Sequence, residues 1–243
     1  MKRLFIVLIL AAQAAVVLAG ETGCVYDLHG PALMLKAGAA DWRPAAKGAP
    51  VAQGDSVRTG KGAWCEILFR DGTFVKLEEN SETTAEALVS SAKERTFSFS
   101  FLKGRALWMA AKLKGAAASR FSVRTPSAVC AVRGTDFSML VSSTGQTTVG
   151  LFEGKVALSS GTVEKELLAG GEASASAGEI AVQARLSRLM KMEEKRYARV
   201  KGRVESLRKR LAERDSFIDD YVARQRKALS DFESRRNKRL NKN

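Results

Sequence analysis

A chain of 243 residues, 45% of them hydrophobic, has room for one sizeable core plus an appendage, and it is too apolar to be wholly disordered. Its net charge of +14 is local: Ala184 to Asn243 holds 20 basic residues against 9 acidic ones, leaving 20 against 17 for everything before it. The body is nearly neutral, so the overall charge does not by itself signal a nucleic-acid-binding domain.

Lys2 and Arg3 precede an apolar run from Leu4 to Leu18 that only Gln13 interrupts, and Val17-Leu18-Ala19 suits a signal peptidase. The run of about 15 residues is short of the ~20 that span a bilayer as a helix. Residues 1–19 are therefore expected to be a cleaved signal peptide and the mature chain to be periplasmic or secreted. An uncleaved inner-membrane anchor is the alternative. A lipoprotein reading through Cys24 is weakened by Glu21, which stands where an aliphatic residue belongs.

Cys24, Cys65 and Cys130 are an odd set, so at most one internal disulfide can form. Cys65 and Cys130 read first as small core residues, with a Cys65–Cys130 bridge left open. His29 is the only histidine and no paired metal-ligand spacing exists, so no metal and no cofactor are expected.

The middle of the chain alternates with the period of strands. Phe97, Phe99 and Phe101 fall on one face of FSFSFL, with Ser98 and Ser100 on the other. ILF before Asp71-Gly72 and FVKL after it make a hairpin or corner. Cys65 shares a face with Ile67 and Phe69. Further short strands are expected at Ala32 to Leu35, Phe121 to Arg124, Phe137 to Val141, Thr148 to Phe152, Val156 to Leu158, Val163 to Leu167 and Ile180 to Val182. Periodicity leaves sandwich, barrel and coil of strands equally open.

Five pieces then occur in a fixed order: GDSVRTG (Gly54 to Gly60), DGT (Asp71 to Thr73), a glycine at Gly104, RFSVRTPSAVCAVRGTDFSMLV (Arg120 to Val141) and FEGKV (Phe152 to Val156). Together they resemble the FecR domain, the extracytoplasmic module of iron-transport regulators and of free-standing envelope proteins, over roughly Val25 to Leu168. The resemblance implies a mainly β fold, a β-solenoid-like roll of short strands over residues 25–168. In Arg133-Gly134-Thr135 the glycine permits a tight bend, the threonine caps it and the arginine packs its stem. Arg58-Thr59-Gly60 has the same form. The functional alternative is that Arg58 and Arg133 grip an anionic ligand or a partner's carboxylate.

After a small, polar linker or last strand at 169–183, residues 184–243 lack proline and read as a long basic helix. One heptad row holds Met190, Tyr197, Val204, Leu211, Ile218, Gln225 and Phe232, the other Glu193, Val200, Leu207, Arg214, Tyr221, Ala228 and Arg235. That is a coiled-coil seam with polar interruptions, either one rod or a hairpin broken near Asp219-Asp220. Leu207, Leu211 and Ile218 are the candidate contact residues. The seam would serve self-association, or would pack on an envelope partner or on the chain's own β domain. An anionic membrane surface comes second, and nucleic acid is disfavoured by the expected export.

No catalytic constellation is present: there is no GxSxG, and Glu78 and Glu79 would point to opposite faces of a strand. The expectation is a non-enzymatic, exported binding or scaffold module, oligomeric or partner-docking through its tail. The alternative is the periplasmic component of a FecR-type signalling circuit that controls a sigma factor. The departure from that pattern is the three-residue lead before the apolar run, which leaves no cytoplasmic domain to hold the sigma factor.

Overall fold

The computed structural model describes residues 22–90, 94–112, 118–176 and 178–240; the apolar leader at residues 1–19 lies outside them. The chain first lays down β1 (Gly23–His29), β2 (Ala32–Leu35), β3 (Arg43–Pro44), β4 (Pro50–Val51), β5 (Ser56–Thr59), β6 (Trp64–Phe69), β7 (Phe74–Leu77) and β8 (Glu82–Ser90). The long β9 (Glu94–Met109) follows. Then come β10 (Ala118–Arg124), β11 (Val129–Val132), β12 (Asp136–Val141), β13 (Thr147–Glu153), β14 (Lys155–Ser160), β15 (Val163–Leu168), β16 (Glu172–Ser176) and β17 (Glu179–Gln183). Two helices complete it, α1 (Arg188–Glu213) and α2 (Phe217–Leu240).

β9 organises the strands. Its first half pairs with β8 and β10, its second half with β7 and β12. The switch falls at Gly104, whose φ is +95° and where an added Cβ would lie 2.5 Å from Ser81 Cα. A side chain there is excluded both by the backbone and by the neighbour. A first layer thus runs β4-β1-β6-β7-β9-β12-β13-β16-β17. A second runs β3-β2-β5-β8-β9-β10-β11-β14-β15. Among these described pairings only β9–β10 is parallel.

The mainly β expectation holds. The solenoid-like roll does not describe it: the strands form an open sheet folded about β9, built from antiparallel neighbours and not from stacked coils. Aromatic side chains join the two layers. Trp108 of the first lies 5.2 Å from Phe99 and 5.8 Å from Phe101 of the second, and Phe69 lies 5.6 Å from both Phe97 and Phe99. The alternation predicted for FSFSFL is the one observed, with all three phenylalanines buried.

Two segments resolve alternatives that the sequence left open. Glu172 to Ser176, within the small polar stretch, is the strand β16, pairing with β13 and β17 and burying Ala173 and Ala175. Alanines alternating with serines carry too little apolar contrast to announce a strand. The helical tail is broken at residues 214–216, upstream of Asp219-Asp220, which instead occupy the first turn of α2 where the helix dipole favours acids.

Candidate functional site: the helix-covered face

Strand alternation sends every second side chain of the first layer away from the aromatic core, yet these are not hydrophilic. Cys24, Leu68, Phe74, Leu107 and Met109 form a second apolar cluster. It is covered by Tyr197, Val204 and Leu207 of α1 and by Phe217, Ile218 and Val222 of α2. Burying a leucine-sized side chain stabilises by roughly 1.5–3 kcal/mol, so this contact holds the helices on the sheet. Ser187 caps α1, accepting from the Met190 amide at 3.3 Å, and its own amide donates to Glu172 at 2.7 Å.

Charges are set into this contact in opposed pairs. Glu66, outward on β6 between Cys65 and Ile67, is buried and accepts a bidentate bond from Arg203 at 2.7 and 2.6 Å, with Lys76 at 3.3 Å. Glu193 of α1 is buried between Arg196 at 2.7 Å and Arg105 at 3.5 Å. Arg208 donates to the carbonyls of Gly72 at 3.0 Å and Met109 at 2.9 Å. At the start of α2, Arg70 donates to Asp219 at 3.0 Å and the Tyr221 hydroxyl donates to the Tyr26 carbonyl.

The Tyr197 hydroxyl lies 3.0 Å from Asp136 and 2.8 Å from Glu153. Its single proton serves one carboxylate at a time. The two acids are pushed in opposite directions. Burial raises Asp136 above the usual carboxylate range, although Arg208 opposes it. Glu153 is held down at about 2, chiefly by its bond from Lys201, with Lys112 and Tyr197 assisting. Burial likewise raises Glu193. Carboxylates that helix residues cover and pair in this way fasten the helices to the sheet.

The five residues singled out by sequence are scattered. Leu207 and Ile218 are buried in the helix–sheet cluster and Leu211 packs partly against it, so the predicted seam is occupied by the chain's own sheet; no coiled coil is established. Arg58 lies over the Trp42 ring at 4.2 Å, a cation–π contact. Arg133 is exposed, while Gly134 has φ +59° and Thr135 donates to the Lys155 carbonyl at 3.0 Å, so the threonine of the corner makes a capping bond as expected. In the other corner Thr59 is buried and its Oγ1 accepts from the Ser81 amide at 3.0 Å. Cys65 and Cys130 are separate thiols in the core, each pushed up to about 12 by burial, and are therefore unreactive.

Residues 55–157 match the family model described as FecR protein. This stretch is a FecR-like domain. The strands before and after the matched stretch, β1–β4 and β15–β17, complete the same two layers as the FecR domain itself. No curated protein matches the sequence. Two crystal structures, both titled "putative anti-sigma factor" from Parabacteroides distasonis and determined at 1.65 and 2.50 Å, are 21% identical. The alignment covers 54% of this chain and 59% of that chain, with a TM-score of 0.45. The chain therefore aligns with little more than half the length of that protein.

Sequence reasoning missed the polar half of the helix contact on the FecR domain. Glu193 entered only as a polar member of a heptad row, and Glu66 was not singled out. The available signal was that Trp64–Phe69 and Phe74–Leu77 are rich in apolar residues on both faces, the pattern of a sheet covered on both sides.

Proposed function

We propose that this chain is an exported, non-enzymatic binding module of the cell envelope, in which the FecR domain is a platform and the far end of α2 is the part offered to a partner. The observation that carries this reading is the contrast along α2. Val222 is buried on the sheet, whereas every residue from Arg226 to Lys238 is exposed, including Leu229 at 52% and Phe232 at 63%. Leu229 and Phe232 fall seven and ten residues after Val222, on the same side of the helix. That exposed stretch carries five basic residues against two acidic ones, which favours an acidic partner. The buried carboxylates described above are engaged in fastening the helices, and no metal-capable group of three or more ligands occurs among the described residues.

A photo-cross-linking residue placed at Ser230 should give one discrete product in intact cells. Replacing Leu229 and Phe232 together with Asp should abolish that product while the thermal midpoint of the purified chain stays within error. Persistence of the product in the double variant would sink the assignment. N-terminal mass spectrometry of the periplasmic fraction tests export directly, and a full-length cytosolic chain would overturn it.

The second reading, a periplasmic component of a FecR-type signalling system, rests on the family match. Under it, deletion of the chain changes transcription from a sigma-factor-dependent promoter; under the first it leaves that transcription unchanged.

A further inference from the structure

The two layers end together on either side of the domain, and the two ends are finished differently. At one, they terminate in β3 and β4, strands of two residues each, with Pro44 in the first and Pro50 in the second. Proline has no N–H to offer a further strand. Residues 45–49 cross from one layer to the other between these strands, and Ala45 and Ala49 pack against the core. α2 lies on that crossing: a Cβ added at Gly48 would fall 2.7 Å from Gln225 Cβ. Shortness, proline and a covering helix are the means by which sheets protect an edge.

The other end has none of these. It terminates in β15 and β17, of six and five residues, neither containing proline. Among the described pairings β15 meets only β14 and β17 meets only β16. Each edge therefore directs alternate N–H and C=O groups away from its ladder. The chain after β17 does not return along this edge. The Ser187 amide bonds Glu172 of β16, and Met190 stands over Gly150 of β13, two strands in. The inner face is left open as well. Ile180 and Val182 lie opposite the buried Ala175 and Ala173 and so share their side of the sheet, yet Val182 is 43% exposed. Beside it Leu168 of β15 is 56% exposed.

The sequences of these two edges select the occupant. β17 reads Glu-Ile-Ala-Val-Gln. Laid antiparallel against a second β17 over its whole length, it sets Ala181 opposite Ala181, Ile180 opposite Val182 and Glu179 opposite Gln183. The inner faces stay on one side, the inner pairs are apolar and no like charges meet. β15 reads Val-Glu-Lys-Glu-Leu-Leu. The registers that overlap it most with itself and keep its faces matched set Lys165 on Lys165 or Glu166 on Glu166, which is destabilising. We propose that two copies of this chain pair through β17, antiparallel about a two-fold axis at Ala181, so that the first layer continues from one copy into the other. Such a contact is self-complementary and closed, as two-fold assemblies require, and it removes the unprotected edge. It does not involve α2 and stands whether or not the partner reading of that helix holds.

Sedimentation velocity of the purified chain across a concentration series should show a monomer–dimer equilibrium. Ala181 is exposed, so Ala181→Lys and Ala181→Glu should leave the circular dichroism of the chain unchanged. Each should weaken dimerisation about tenfold, roughly 1.4 kcal/mol. An equimolar mixture of the two variants should recover the dimer, because an axis at this residue then sets lysine against glutamate. A chain that stays monomeric at millimolar concentration would overturn the proposal. So would a dimer indifferent to both substitutions, or a mixture that associates no better than either variant alone. A dimer that survives Ala181→Lys but is lost when Leu229 and Phe232 are both replaced with Asp would place the association on α2 and overturn it equally.

Discussion

The two faces of the first layer come from the same strands and are covered in different ways. β6 sends Cys65, Ile67 and Phe69 inward to a core of aromatic and aliphatic groups, and Glu66 and Leu68 outward beneath the helices. Inside, phenylalanine and tryptophan rings meet one another. Outside, apolar contacts alternate with buried ion pairs that span from sheet to helix. The inner face is held by shape and area, which tolerate no alternative partner geometry. The outer face is held by area plus charge matching, which fixes where each helical turn sits but leaves the attachment sensitive to the loss of one charge.

That contrast predicts a graded set of effects. Trp108→Ala should cost about 3–5 kcal/mol and unfold both layers together, because Trp108 touches Phe99, Phe101, Phe121 and Phe137. Denaturant unfolding followed by fluorescence and by circular dichroism should show one coincident transition at lower denaturant. Arg203→Ala leaves Glu66 buried with Lys76 alone and should cost about 2–3 kcal/mol. Here the loss should fall on the helices: amide exchange should accelerate across α1 and α2 while β9 and β12 keep their protection. Acceleration spread evenly over both would mean that the two faces are one cooperative unit.

The smallest effect concerns acid. Glu153 is depressed to about 2 from an ordinary 4.5, so the stability it contributes is complete above about 4.5 and is lost as pH falls from there through about 2. Asp136 and Glu193 are raised, so they act with the opposite sign, and protonating them relieves a cost of burial. Glu153→Gln should therefore flatten the acid limb of the helix-release curve between pH 4.5 and 2, leaving stability at pH 3 closer to its value at pH 6. An unchanged acid limb would place the sensitivity elsewhere.

Much of this was legible in the residues. The heptad rows named Met190, Glu193, Tyr197, Val204, Leu207 and Ile218, all of them buried, but not Phe217 and Val222, which are buried as well, and they included Phe232, which is 63% exposed. A periodic stripe states that a face is covered; it does not state by what, and the cover proved to be the chain's own sheet. The strand at Ala32–Leu35 and the hairpin around Asp71-Gly72 were readable from alternation and turn chemistry. β8 was not, since Glu82 to Ser90 mixes threonine, glutamate and alanine with little contrast between faces.

The hydroxyl of Tyr221 and the carbonyl of Tyr26 are joined across 195 residues of chain. Among the described elements β1 comes first in the chain and α2 last. Until α2 arrives, the outer side of β1 is wet, and Cys24, which ends up fully enclosed, is open to solvent. The thiol is thus a clock for assembly: a maleimide pulse during synthesis should mark Cys24 only in chains whose C-terminus has not yet docked. Closure over so long a separation is slow relative to local hairpins, which gives the pulse a window in which to act.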